Sequence, residues 1–346
     1  MGSGRPGSQA VRLNQIMPAS PTKTLIWILV AAGLGLGVAP PAEGRRRRRA
    51  RRVRKARPDG LDPLYRRIAK DLRAGKPMVI TVHVALCSNL SIWCGSKKLG
   101  NGDKPRTNLY WGGASGLTAW FRYRRKGYNQ VFRDGGDGKV IVDRVVYRRR
   151  VRWISKRWKR FGVTKPFDIY LVGLAYRGRH IGKAVGALIR QTATGAGSTL
   201  KLKLNTKEGK TKKEMTLAIG GRGHLVGYAG HNHLMDVWGL WKWPKVTRKR
   251  PVGYFALACM SAQYLAPRLT HKLTHAVLLT RVFMYPGAFT IDGLIRALSF
   301  AKRQRAVFRK GCAYYARHSK VRAATVRSGM FTHDGRRRFR KRYPGK

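Results

Sequence analysis

The stretch 167–189, FDIYLVGLAYRGRHIGKAVGALI, decides the fold class. Its first part, Phe167–Ala175, is an apolar, β-branched run of strand length. Tyr176-Arg177-Gly178 closes that run, and an amphipathic pattern follows. Ile181, Val185, Leu188 and Ile189 fall at i, i+4, i+7 and i+8, the spacing of one helical face. A strand without polar alternation, leading straight into a helix, belongs to a sheet covered on both sides.

The same texture recurs outward from this unit. Met78–Leu86 (MVITVHVAL) reads as a strand closed by Cys87-Ser88-Asn89, and Val140–Val146 reads as another. Leu109, Leu117, Trp120 and Phe121 have loosely helical spacing within 107–121. Lys201–Thr216 reads as an exposed basic hairpin. Leu225–Ala229, Tyr254–Ala258 and Ala276–Val282 are short apolar strands, and Thr290 is placed to cap a final helix carrying Ile291, Leu294, Ile295 and Leu298. Strands alternating with helices predict an α/β fold, a three-layer α/β/α sandwich around a mostly parallel sheet. The expected division is a leader over 1–44, a disordered basic arm over 45–75, the α/β domain over 76–320 and a basic tail over 321–346.

Composition narrows the chemistry. The chain has 74 Lys+Arg against 14 Asp+Glu, a formal net charge of +60, and a hydrophobic fraction of 43%, enough for a real core. Such an excess attracts polyanions: nucleic acid, acidic polysaccharide or an anionic membrane surface. Three glutamates, Glu43, Glu208 and Glu214, are too few to favour a paired-carboxylate glycosidase or an oxygen-ligated metal enzyme. No cofactor is expected.

At the front, Thr24–Val38 (TLIWILVAAGLGLGV) has the length of a signal-peptide core, with Lys23 before it and small residues at Gly37 and Ala39. Met17 is an alternative start. Arg45–Arg49 directly behind the core oppose export. On the length of the apolar core the expected location is nevertheless exported, with a cytoplasmic or membrane-anchored protein as the alternative. Arg45–Arg57 (RRRRRARRVRKAR) repels itself; it is either a polyanion-binding arm or a solvated tether. The tail from Gly335 repeats the pattern.

In open parallel sheets the working residues stand just past the carboxyl ends of strands. Two such ends carry chemistry: Leu225-Val226-Gly227-Tyr228-Ala229-Gly230-His231-Asn232 and Tyr254-Phe255-Ala256-Leu257-Ala258-Cys259-Met260-Ser261. If these strands are neighbours, an imidazole and a thiol emerge at one edge, as a nucleophile and its acid/base partner must. Nearby basic residues favour the reactive thiolate. A cysteine ending a buried strand is, by itself, more often a small core residue.

Strand–Gly-His followed one strand later by strand–Ala-Cys-x-Ser resembles the catalytic pattern of the caspase-like cysteine peptidases, which include gingipains, legumains and separases. The resemblance covers about 40 residues. It implies an α/β/α sandwich, Cys259 as nucleophile and His231 as general acid toward the leaving amine. It also implies an oxyanion site made by the backbone N–H groups of Cys259 and Asn232. The substrate would be a peptide or protein. Asn232 departs from the glycine usual after the histidine. Val82–Cys87, Leu99-Gly100-Asn101-Gly102, Asn108-Leu109-Tyr110-Trp111-Gly112 and the two strand ends are also similar to uncharacterised bacterial proteins.

Other constellations compete. His231-Asn232-His233-Leu234-Met235-Asp236 nearly matches a zinc-hydrolase run, but the aspartate is displaced by one. His271 and His275 would share a face if helical. Asp134-Gly135-Gly136-Asp137-Gly138 reads as a turn. Cys87 and Cys94 flank a short loop and would form a disulfide in an exported chain, or stay reduced in a cytosolic one. Cys312 has no evident partner. Trp238, Trp241 and Trp243 lie among basic residues, where they either stack on bases or sugars or cover the cleft. Asp236 and Asp292 are candidates for a pocket that takes a basic side chain.

Overall fold

The computed structural model describes residues 59–332, apart from 91–96, 98–99, 206–211 and 238–239. The leader, the Arg45–Arg57 arm, the tail from Gly335, Cys94, Leu99 and Trp238 lie outside the described residues.

The first element, α1 (Asp62–Arg73), has a proline in its first turn, an acidic residue at its start and Lys70 and Arg73 at its end, all favourable to the helix dipole. Leu64, Tyr65, Ile68 and Ala69 form its buried face. β1 (Met78–Ala85) is buried along its whole length, as a central parallel strand must be. The stretch 107–121 departs from its helical expectation. It runs as turns until a short α2 (Leu117–Ala119), which passes into a single π-type turn. Gly112, Gly113 and Gly116 make a helix there costly.

β2 (Asn129–Asp134) and β3 (Ile141–Val151) form a hairpin whose turn is the expected Gly-Asp-rich stretch. There the Asp137 carboxylate accepts from the N–H groups of Lys139, Val140 and Ile141. α3 (Lys156–Arg160) is capped by the Ser155 hydroxyl, and β4 (Phe167–Tyr176) is followed by α4 (Ile181–Thr194), as the opening stretch predicts. Gly195, at φ 83°, ends α4. β5 (Gly197–Asn205) and β6 (Lys212–Gly220) make the second hairpin. Then come β7 (Leu225–Ala229), β8 (Val252–Leu257), α5 (Ser261–Leu269) and β9 (Thr274–Thr280). The chain continues through α6 (Ala288–Leu298), α7 (Gln304–Ser319), α8 (Ala323–Thr325) and β10 (Phe331–Thr332).

The main sheet has the order β10-β9-β8-β7-β1-β4-β3-β2. Strands β9, β8, β7, β1 and β4 are parallel; β3 and β2 run antiparallel at one edge and β10 at the other. On one face α1, α6, α7 and the 111–121 segment pack over Ile80, Val82 and Val84. On the other, α4, α5 and the β5–β6 hairpin pack over Val79, Val226 and Tyr254. The fold is thus the expected three-layer α/β/α sandwich. The chain steps from β1 to β4 on one side and later to β7 on the other, so the order reverses at β1/β7. In open α/β sheets such a reversal is where ligands bind, outside the carboxyl ends of the strands.

Folded structure reaches beyond the boundaries expected at 76 and 320. α1 lies inside the presumed arm because its apolar face is needed to cover the sheet. β10 lies inside the presumed tail because it pairs with the edge of β9. Thr290 does not cap its helix: Gly287 is the N-cap, and Thr290 is buried within α6, which α7 then follows. His271 and His275 are not helical neighbours, since a turn separates α5 from β9. Among the described residues no helix is long and apolar enough to cross a membrane.

A buried histidine makes this core acid-sensitive. His83 on β1 has Nε2 at 2.8 Å from Gln191 Oε1 and Nδ1 at 3.0 Å from the Tyr176 hydroxyl. With Nε2–H donating and Nδ1 accepting, the ring is satisfied while neutral. Burial pushes its pKa down from 6.5 to about 4, although the Gln191 contact opposes the shift. The unfolded chain therefore takes up a proton near pH 6.5, and the folded chain resists until about pH 4. Stability present above pH 6.5 is lost as the pH falls through that window, by about 3 kcal/mol from this group. His83→Gln is expected to flatten the decline of the melting temperature over that interval. An unchanged slope would rule out His83 as its source.

Candidate active site

β7 and β8 are adjacent and parallel, with Ala229 opposite Leu257. His231 and Cys259 therefore stand two residues beyond the same rung, at the carboxyl end of the sheet. Two contacts fix the two turns to each other, and a third braces the His231 turn itself. The Gly230 N–H donates to Leu257 O at 3.1 Å, the Asn232 side-chain amide donates to Cys259 O at 2.6 Å, and the Tyr228 hydroxyl donates to His231 O at 2.5 Å. Asn232 is 3% exposed. Asn232 is thus the brace between the two turns, and its side-chain oxygen Oδ1 also accepts from the Leu234 N–H.

Gly230 has φ +152°, a region that side-chain-bearing residues rarely adopt. A Cβ there would lie 2.9 Å from both Cβ and O of Ala85 on β1. Gly230→Ala is expected to destabilise the protein by roughly 1–3 kcal/mol in thermal or urea melts and to displace His231. An unchanged melt would mean the turn is plastic.

His231 is half-buried, and its Nε2 lies 2.8 Å from Asp236 Oδ2 and 3.1 Å from Oδ1. His233 Nδ1 reaches the same Oδ2 at 3.2 Å, so one exposed carboxylate sits between two imidazoles. The role of Asp236 as partner of His231 was not legible beforehand. Its only signal was that it is the sole acid in 231–250. The zinc alternative fails on geometry: among the described residues no three His, Cys, Asp or Glu side chains are placed to hold a metal ion. Instead of joining the histidines around a shared ion, Asp236 is consumed as their hydrogen-bond acceptor.

Cys259 is half-buried, with Sγ 3.8 Å from the carbonyl of Met284, in the loop after β9. The next residue, Met260, has φ +52°, an uncommon conformation for a bulky side chain, and its N–H donates to Val282 O at 3.2 Å. Ser261, the last position of Ala-Cys-x-Ser, is 1% exposed and serves structure. Its hydroxyl contacts Ala256 O and the Thr280 hydroxyl, joining β8 to β9.

The loop after β1 closes the other side. Asn108, fully buried, accepts from the Cys87 N–H and donates to the carbonyls of Cys87 and Asn101. That knot gathers the Asn101-Gly102 and Asn108–Gly112 segments beside Tyr110. The Tyr110 hydroxyl is shifted upward by burial, with Cys259 and Tyr285 as neighbours. The remaining thiols differ from Cys259: Cys87 is disulfide-bonded, and burial pushes Cys312 up to about 12. Trp241 packs on Gly186 of α4 and against His233, and Trp243 lies under the Arg268 guanidinium. Both are partly buried against the α4–α5 layer rather than presented as open platforms. Asp292, a pocket candidate in the sequence, is fully buried and bound by Arg125, Arg296 and the Tyr128 hydroxyl, so it holds the core instead.

No family model, curated protein or solved structure matches the chain.

Proposed function

We propose that this protein is a caspase-like cysteine peptidase, with Cys259 as nucleophile and His231 as acid/base. One observation carries the reading: His231 and Cys259 occupy equivalent positions beyond a paired rung of adjacent parallel strands, tied by the Asn232–Cys259 hydrogen bond. The Cys259 thiol gives its proton to His231 and its sulfur attacks the scissile carbonyl, so that the displaced π electrons collect on oxygen, which the N–H groups of Cys259 and Asn232 receive. As the C–N bond breaks, His231 gives a proton to the leaving amine. A water that loses its proton to His231 then hydrolyses the thioester. Asp236, accepting from Nε2–H, leaves Nδ1 as the nitrogen that exchanges the proton.

Under this reading an electrophilic peptide probe labels the wild-type chain and fails to label Cys259→Ala. Equal labelling of both would end the proposal. Cys312 does not confuse the assay, because its thiol is held protonated in the core. The disulfide at Cys87 supports an exported location, since such bonds persist in oxidising compartments.

A second reading, a non-enzymatic polyanion-binding scaffold, is favoured by the net charge of +60. It requires nucleic-acid binding that weakens steeply with salt and survives both Cys259→Ala and His231→Ala.

A further inference from the structure

The end of the sheet opposite Cys259 and His231 carries a feature that hydrolysis does not use. β3 ends at Val151, which pairs with Phe167 at the start of β4. Arg152 and Trp153 therefore emerge where the parallel strands begin. Trp153 is 82% exposed, the highest exposure of any described tryptophan, and Phe300, in the turn after α6, is 39% exposed. The two turns are pinned together: the Ser155 hydroxyl donates to Phe300 O at 2.8 Å, and Trp158 Nε1–H donates to Ser299 O at 2.9 Å. The aromatic side chains thus stand on neighbouring, fixed backbones.

Arg152, Lys156, Lys302 and Arg303 are exposed around them. None of the four has an ion-pair partner among the described residues. The acids close by in the fold are committed elsewhere: Asp59 and Asp62 hold Arg157, and Asp168 holds Arg148 and Arg150. An exposed indole beside four cations without ion-pair partners suits a ligand that has both a flat apolar face and regularly spaced negative charge. Bases and phosphates of one strand supply both.

We propose that this patch binds single-stranded nucleic acid, with bases stacking on Trp153 and Phe300 and phosphates meeting Arg152, Lys156, Lys302 and Arg303. A membrane surface fits less well. The adjacent aliphatic residue, Ile154, is packed against the core, so the patch offers little apolar side chain to insert. Spanned by the ten residues of β4, the patch and the thiol lie about 30 Å apart. Binding and hydrolysis are therefore independent, and neither proposal needs the other.

The test uses the full chain and fluorescence anisotropy at about 0.15 M salt, where only near charges act strongly. A labelled oligothymidylate is compared with an abasic oligodeoxyribonucleotide of equal length. The basic segments outside the folded domain attract both through charge, whereas stacking distinguishes them. Wild type is expected to prefer the thymidylate by about fivefold or more, and the Trp153→Ala/Phe300→Ala double variant to lose that preference, while its abasic affinity is unchanged. Trp153→Phe should keep most of it. Equal wild-type affinities for the two strands, or an unaltered preference in the double variant, would overturn the proposal. So would loss of binding to phosphatidylserine vesicles with oligothymidylate binding intact, which would assign the patch to a membrane. An unchanged circular-dichroism melt of the double variant shows separately that the chain is folded.

Discussion

His231→Ala is expected to lower hydrolysis of an unfolded protein substrate by about a thousandfold, within the range that a positioned acid/base contributes. Under the proposed mechanism the loss falls on kcat, with KM little changed, because the imidazole would act on the leaving amine and not on the remote parts of the substrate. Asp236→Asn keeps an acceptor beside Nε2 and so keeps the ring oriented, so its loss is smaller. Asp236 is about half exposed, which limits what its charge contributes. The measurement is steady-state hydrolysis with titrated active sites. Wild-type rates in His231→Ala would remove His231 from the mechanism, and a drop confined to KM would make it a binding residue instead.

Asp292→Ala is expected to reduce folding stability by about 3–5 kcal/mol, a large part of the roughly 5–15 kcal/mol that a domain possesses. Its side chain is fully buried, with Arg125 Nε at 2.5 Å, Arg296 Nε at 2.9 Å and the Tyr128 hydroxyl at 2.9 Å. Removing the carboxylate strands two guanidinium groups and leaves a buried hydroxyl without its acceptor. Asp292→Asn keeps an acceptor for Tyr128 and should recover part of the loss. The shift in urea midpoint reports the effect. A change under about 1 kcal/mol would mean that water or the arginines themselves relieve the cavity. Folded variant that survives should still take up the thiol probe, because Asp292 lies in the helical layer and not at the carboxyl rim.

Physical periodicity explains why most elements were legible. A strand buried on both faces has no polar alternation to disguise it, so β1, β4, β7 and β8 stand out, and α4 shows its buried stripe at 3.6-residue spacing. Elements that depend on partners were not legible. α1 is dominated by charge along its outer face and reads like the arm before it, yet Leu64, Tyr65 and Ile68 cover the sheet. β2 is an edge strand with little burial, and β10 is two residues long; neither leaves a pattern. The helix expected in 107–121 gave way to glycine-rich turns, because Asn108 is held by Asn101 in the preceding loop and by Cys87, twenty-one residues away.

Sequence alone determined the layered α/β class and the two strand ends that carry sulfur and imidazole, because burial and chemical type are local properties of residues. It also determined the net charge of +60, a sum that needs no coordinates. Tertiary structure decided what contact decides: that β7 and β8 are neighbours in matched register, that Asn232 braces Cys259, and that Asp236 serves His231 while Asp292 serves the core. Two aspartates of identical chemistry took opposite roles because one faces solvent beside two imidazoles and the other faces two guanidinium groups in the interior.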